Sequence, residues 1–169
     1  MAFDLPPAAA VLGAMITPAV LISASGTLSL ATSNRLGRVV DRVRALGDQA
    51  ATLPDDAATS GEVELRHLIA DQLTSLAVRI RLLQKSLTIL YVAIGLLVGT
   101  SLTIGLAEAT RLGLQWLPLT LGLGGAGALF LASMLLVQEA RLAVRSSLDE
   151  ISYVRRVADR KAGRLTVGG

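Results

Sequence analysis

Three stretches of the chain lack any ionisable side chain: Leu5–Asn34, Ser86–Ala107 and Leu112–Gln138, runs of 30, 22 and 27 residues. Each is rich in Leu, Val, Ile, Ala and Gly. A helix rises about 1.5 Å per residue, so about 20 residues cross a hydrocarbon core of ~30 Å. A lone apolar strand would leave its backbone unsatisfied in lipid, so the runs predict helices. We place three transmembrane helices at roughly 9–32, 86–107 and 115–138. The first run is preceded by Met1-Ala2-Phe3-Asp4, without Lys or Arg. It also exceeds the apolar core of a signal peptide, so it is expected to be a retained span.

Between and after these runs the apolar positions take up a helical period. Leu36, Val39, Val40, Val43 and Leu46 share one face, with Gly47 as the expected stop. Thr52 to Gly61 reads as a linker from its Pro, Asp, Ser and Gly content. Leu65, Ile69, Leu73, Leu76, Ile80, Leu83 and Leu87 then recur at steps of three and four, and no Pro or Gly intervenes before Gly95. One helix is predicted over about 62–107. Leu142, Leu148, Ile151, Val154 and Val157 extend the third helix to about 162, before Gly163. The pattern predicts an all-α membrane protein of three transmembrane helices. Helical cytoplasmic extensions would form a coiled-coil-like hairpin. Four regions follow: 1–33, an N-terminal span; 34–85, an amphipathic helix, linker and stalk helix; 86–138, a transmembrane hairpin; and 139–169, a C-terminal helix and tail.

Composition agrees with this picture and removes several chemistries. The 169 residues are 52% apolar and 17% charged, with a mean hydropathy of +0.59. A soluble domain carries about 25% charge. There is no cysteine, which excludes disulfides, zinc–thiolate sites and thiol nucleophiles. His67 is the single histidine, so a Ser-His-Asp arrangement has little to build on. Aromatic residues are 3%, too few for a base-stacking platform, and no nucleic-acid partner is expected. No catalytic residue, cofactor or metal is expected either.

The basic residues are distributed asymmetrically. Eight lie in 35–85, seven in 139–169, one (Arg111) between the second and third runs, and none before the first. The positive-inside rule places 35–85 and 139–169 in the cytoplasm of a bacterial inner membrane, with the N-terminus outside. Trp116 then falls at the outer interface. Arg35, Arg38, Arg42 and Arg44, with Asp41 three residues from both Arg38 and Arg44, form the densest charged cluster. They are candidates for binding anionic headgroups or a partner. Ion pairing along the helix and plain topology-setting charge remain open beside that reading.

Small residues mark candidate packing faces: Gly95-x-x-x-Gly99, and Gly124-x-x-x-Ala128-x-x-x-Ala132. They serve either packing within one chain or a seam between copies. Pro18 is expected to kink the first helix. Thr17, Ser23, Ser25, Thr27, Ser29, Thr32 and Ser33 make that helix unusually polar. Gly122-Leu-Gly124-Gly-Ala-Gly127 fits a dinucleotide fingerprint, but inside an apolar run it reads as close packing. Glu64-Leu-Arg-His67 has the spacing of a di-iron half-site, with Asp71 one turn on; the plainer reading is a solvated face.

The runs Thr17-Pro18-Ala19-Val20-Leu21-Ile22-Ser23-Ala24-Ser25-Gly26 and Asn34-Arg35-Leu36-Gly37-Arg38-Val39-Val40-Asp41-Arg42-Val43-Arg44 resemble an uncharacterised bacterial membrane family, domain of unknown function 2721. Arg35, Leu36, Arg38, Val39, Val40, Asp41, Arg42 and Arg44 carry the resemblance. It implies an integral membrane protein over roughly residues 10–160 and brings no activity. The expected role is structural or accessory: self-association as a homo-oligomer, or membership of a larger membrane complex. A pore lined by first-helix hydroxyls is the alternative, and signalling through the long helices ranks third. The chain should sediment with membranes when lysed cells are ultracentrifuged without detergent, and recovery in the supernatant would contradict the three spans.

Overall fold

The structure of the chain, a computed structural model, describes residues 7–52, 60–110 and 116–167, with side-chain surroundings described for residues 9, 11–52, 63, 65–107 and 116–144. Three helices account for the described residues, with no strand among them: α1 (Pro7–Ala51), α2 (Ser60–Thr110) and α3 (Trp116–Val167). Each contains a stretch long and apolar enough to cross a membrane. Most of the expected linker, the connection before Trp116 and the side chains of the tail stripe from Leu148 onward lie outside what is described.

The helices are longer than the sequence reading drew them. The first span and the arginine-bearing helix are one element, α1, with Asn34 in its interior. Gly47 does not stop it. A helical glycine costs about 1 kcal/mol, whereas the preceding Leu46 is 3% exposed and its burial contributes about 2 kcal/mol. The helix ends four residues later, where the Thr52 amide donates to the Asp48 carbonyl at 3.3 Å and its hydroxyl to that of Gln49 at 2.8 Å. Pro18 is likewise inside α1 and buried without ending it. Gly163 is passed in the same way, since α3 continues to Val167.

The chain divides into two compact units, Met1–Arg38 with Leu82–Leu136, and Val39–Arg81 with Val137–Gly169. In the first unit the interior of α1 is made of Ser25, Ser29 and Thr32, while Leu12, Ile16, Val20 and Leu30 point outward with 60–65% of their surface exposed. This is the reverse of a soluble helix. It suits apolar surroundings, where small and polar residues face neighbouring helices and large apolar ones face lipid. In the second unit α1 buries Val39 and Leu46, and α2 buries Ile69 and Leu76.

Buried positions recur every seven residues on each helix: Ser25, Thr32, Val39, Leu46 on α1; Ile69, Leu76, Leu83, Leu90, Leu97 on α2; Gly125, Ala132, Glu139 on α3. Seven residues make nearly two turns, so such a row keeps to one side of its helix over a long distance.

Within the first unit, Gly125 is the glycine of α3 with the least room against α2 among those described. A methyl group there would lie 2.9 Å from Leu97 Cγ and 3.0 Å from Cδ2, with the Ala93 carbonyl oxygen at 3.4 Å. Above and below this point the fit is ordinary: Gly124 meets Leu96 Cδ1 at 3.6 Å, Gly122 meets Thr100 Cγ2 at 3.4 Å, and Gly99 meets Leu121 Cδ1 at 3.6 Å. Gly127 faces open space. Gly125→Ala should therefore destabilise the protein by about 1–3 kcal/mol through overpacking. Gly127→Ala should be neutral or slightly stabilising through helix propensity. Thermal unfolding of the two variants in mild detergent compares them directly.

Candidate functional site

Two polar features are enclosed by otherwise apolar helices, one in each unit. In the second unit Arg79 of α2 and Glu139 of α3 are paired. The Arg79 Nε donates to Glu139 Oε1 at 3.0 Å, and Nη2 reaches the same oxygen at 2.9 Å. The Glu139 side chain is 2% exposed and that of Arg79 is 20% exposed. A carboxylate removed from water is tolerated only when paired and hydrogen-bonded, so this contact is a condition of Glu139 lying inside at all. The seven-residue row of α3 aims it inward: Gly125 and Ala132 precede it on the same face, and Glu139 is the first charge after the third apolar run.

The first unit holds buried hydroxyls. Ser25 donates to the Leu21 carbonyl at 2.7 Å, Thr32 to that of Leu28 at 2.7 Å, Ser86 to that of Leu82 at 2.8 Å and Thr100 to that of Leu96 at 2.9 Å. Each bond runs four residues back along its own helix, which satisfies the donor without help from a neighbour. Ser29 Oγ differs: among the described buried side-chain oxygens and nitrogens it has no partner. Ser25, Ser29 and Thr32 thus face the inside of one chain, whereas Thr17, Ser23, Thr27 and Ser33 are exposed.

Arg35, Arg38, Asp41, Arg42 and Arg44 are all exposed on α1. Asp41 Oδ1 pairs with Arg44 Nη1 at 3.5 Å, with both side chains more than 70% exposed. A pair so open to water contributes little. Of the apolar residues of the same stretch, Val39 is 5% exposed and Leu46 3%, and Leu36, Val40 and Val43 are half-buried. Of the small residues singled out, Ala132 is fully buried, and a methyl group added at Gly99 or Gly124 would come into ordinary contact with Leu121 or Leu96. Ala128 is half-buried. Gly95 is exposed, and a methyl group there would meet nothing within 4 Å. The dinucleotide-like glycines 122, 124 and 125 are occupied by helix packing. His67 and Asp71 are exposed, and no group of three metal-ligating side chains is present among the described residues.

The sequence profile of the family described as "Protein of unknown function (DUF2721)" matches residues 15–148, and the chain belongs to that family. No curated protein and no solved structure gives a significant match to it. The block Arg35–Arg44 that carried the resemblance lies within the matched region, as do Arg79 and Glu139.

Sequence reading passed over the ion pair because Arg79 and Glu139 are separated by 60 positions, and Arg79 is one of three basic residues, with Arg81 and Lys85, that precede the second charge-free run. The seven-step from Ala132 was the available signal for Glu139 facing inward. It also named Gly124 where Gly125 makes the tightest contact; only the facing Leu97 distinguishes these adjacent glycines. Arg79→Met should cost about 3 kcal/mol, because it strips its guanidinium from a buried carboxylate. Glu139→Met should cost less, since the partly exposed Arg79 can turn toward solvent. The double variant should be less destabilised than the sum of the singles. Denaturant titration of the three proteins in detergent measures the difference.

Proposed function

We propose that the chain is an integral protein of the bacterial inner membrane, N-terminus outside and C-terminus in the cytoplasm, that acts as a structural or accessory subunit by associating with further copies or with a larger membrane complex. The orientation rests on the fifteen basic residues of 35–85 and 139–169 against Arg111 alone elsewhere. The exposed Arg35, Arg38, Arg42 and Arg44 suit anionic headgroups at about 1 kcal/mol each. The rows through Val39, Leu46, Ile69 and Leu76 support a coiled-coil-like reading of the helices beyond the spans.

The observation that carries self-association is Gly95. Gly122, Gly124 and Gly125 of α3 lie against α2, while Gly95 is left open on an apolar face beside Val92, 53% exposed, and Val98, 41% exposed. Such a glycine allows another helix to approach closely. The reading is of a non-enzyme, and what supports it is that the enclosed pair Arg79–Glu139 links α2 to α3, while the hydroxyls of Ser25, Thr32, Ser86 and Thr100 are engaged by their own helices. For the pore alternative, Ser25, Ser29 and Thr32 face the interior of a single chain, which leaves the exposed Thr17, Ser23, Thr27 and Ser33 as the first-helix hydroxyls that could line an axis between copies.

Native mass measurement in mild detergent, with cross-linking in intact membranes, should find more than one copy or a stable partner. Gly95→Leu should lower the copy number while leaving the thermal midpoint of the protomer unchanged, since Gly95 is exposed and an added Cβ there meets nothing within 4 Å. A strictly monomeric, partnerless particle in both experiments would overturn the proposal.

A further inference from the structure

We propose that the buried face of α1 at Ser29 is a binding site for an ordered water molecule, shared with Ser25. The inference concerns the interior of one chain and stands whether or not copies associate.

Ser29 is 6% exposed, and its hydroxyl makes no hydrogen bond. An enclosed hydroxyl with no partner is costly. A helical serine always has a remedy, donation to the carbonyl four residues back, and the buried Ser25, Thr32, Ser86 and Thr100 all use it. Ser29 leaves this bond unmade, so its proton is available to a molecule seated beside it.

Helix geometry supplies the remaining partners. Residues four apart on one face have Cβ atoms about 5–6 Å apart. A molecule held at about 2.8 Å from each of two hydroxyl oxygens spans that gap. Ser25 Oγ has already donated its proton to Leu21 and keeps its lone pairs, so it accepts. The Ser25 carbonyl retains a second lone pair beside its helical bond. The site therefore offers one donor, Ser29, and two acceptors, both on Ser25. Water, which accepts one such bond and donates two, matches that set and has the partners a buried water needs.

Water-edited solid-state NMR on full-length protein labelled at serine and leucine, in vesicles of phosphatidylcholine and phosphatidylglycerol, tests the proposal. Water magnetisation should reach the Cβ of Ser25 and Ser29 several-fold faster than the buried side chains of Leu90 and Leu97. In Ser29→Ala the fast transfer to Ser25 should be lost and the thermal midpoint should fall. Transfer to Ser29 as slow as to Leu90, or a midpoint that rises on Ser29→Ala, would overturn it, because removing an orphan hydroxyl stabilises whereas removing a hydrated one does not. If the variant fails to fold, the transfer rates in the natural protein decide alone.

Discussion

Where helices are apolar on every side, burying one against another in lipid gains little from the exclusion of water, and closeness of fit has to hold them. The first unit is arranged around that constraint. On α1, Leu12, Ile16, Val20 and Leu30 point outward and Ser25, Ser29 and Thr32 point inward, and α3 brings Gly125 to the face where α2 brings Leu97 and Ala93. Dispersion falls off within an ångström of extra distance, so the missing side chain at Gly125 matters more here than an added methyl group's surface would. The internally bonded hydroxyls serve the same end. They are small, and a serine or threonine that bonds to its own helix presents a nearly neutral surface to the next one.

The second unit relies on a different contact. Arg79 and Glu139 bring two guanidinium nitrogens onto one carboxylate oxygen, with the carboxylate almost fully enclosed. Such a pair has to offset a large desolvation cost, so its presence is weak evidence for stability. Its value lies in orientation. An apolar face packs tolerably at several rotations, whereas a buried charge admits only the one that meets its counter-charge. The ordinary salt link on the outside of α1, Asp41 with Arg44, imposes no such condition because water can replace either partner.

Much of the architecture was legible in the residues. The charge-free runs located three apolar helices, and the three-and-four spacing of Leu65 to Leu87 showed that α2 continues beyond its run. The residues Arg35–Arg44 identified the family that the profile match bears out. What could not be read depended on tertiary context. Gly47 and Gly163 are ordinary stop signals by local propensity, and α1 and α3 pass through them. The hydroxyls of α1 were visible as a group, but which of them face inward is set by where the other helices stand. Gly124 and Gly125 are equivalent until a leucine is placed opposite one of them. Long-range pairing of charges is the hardest of these to infer, since Arg79 and Glu139 carry no local sign of one another.

The continuity of α1 has a mechanical consequence. About 20 residues cross a hydrocarbon core, and α1 has 45. Ser25, Ser29, Thr32, Arg35 and Arg38 lie within the first unit on one unbroken stretch of that helix. A side chain on a continuous helix cannot turn about the axis without its neighbours, so a headgroup holding Arg35 and Arg38 would also fix the angle at which Ser25 and Thr32 meet the facing helices.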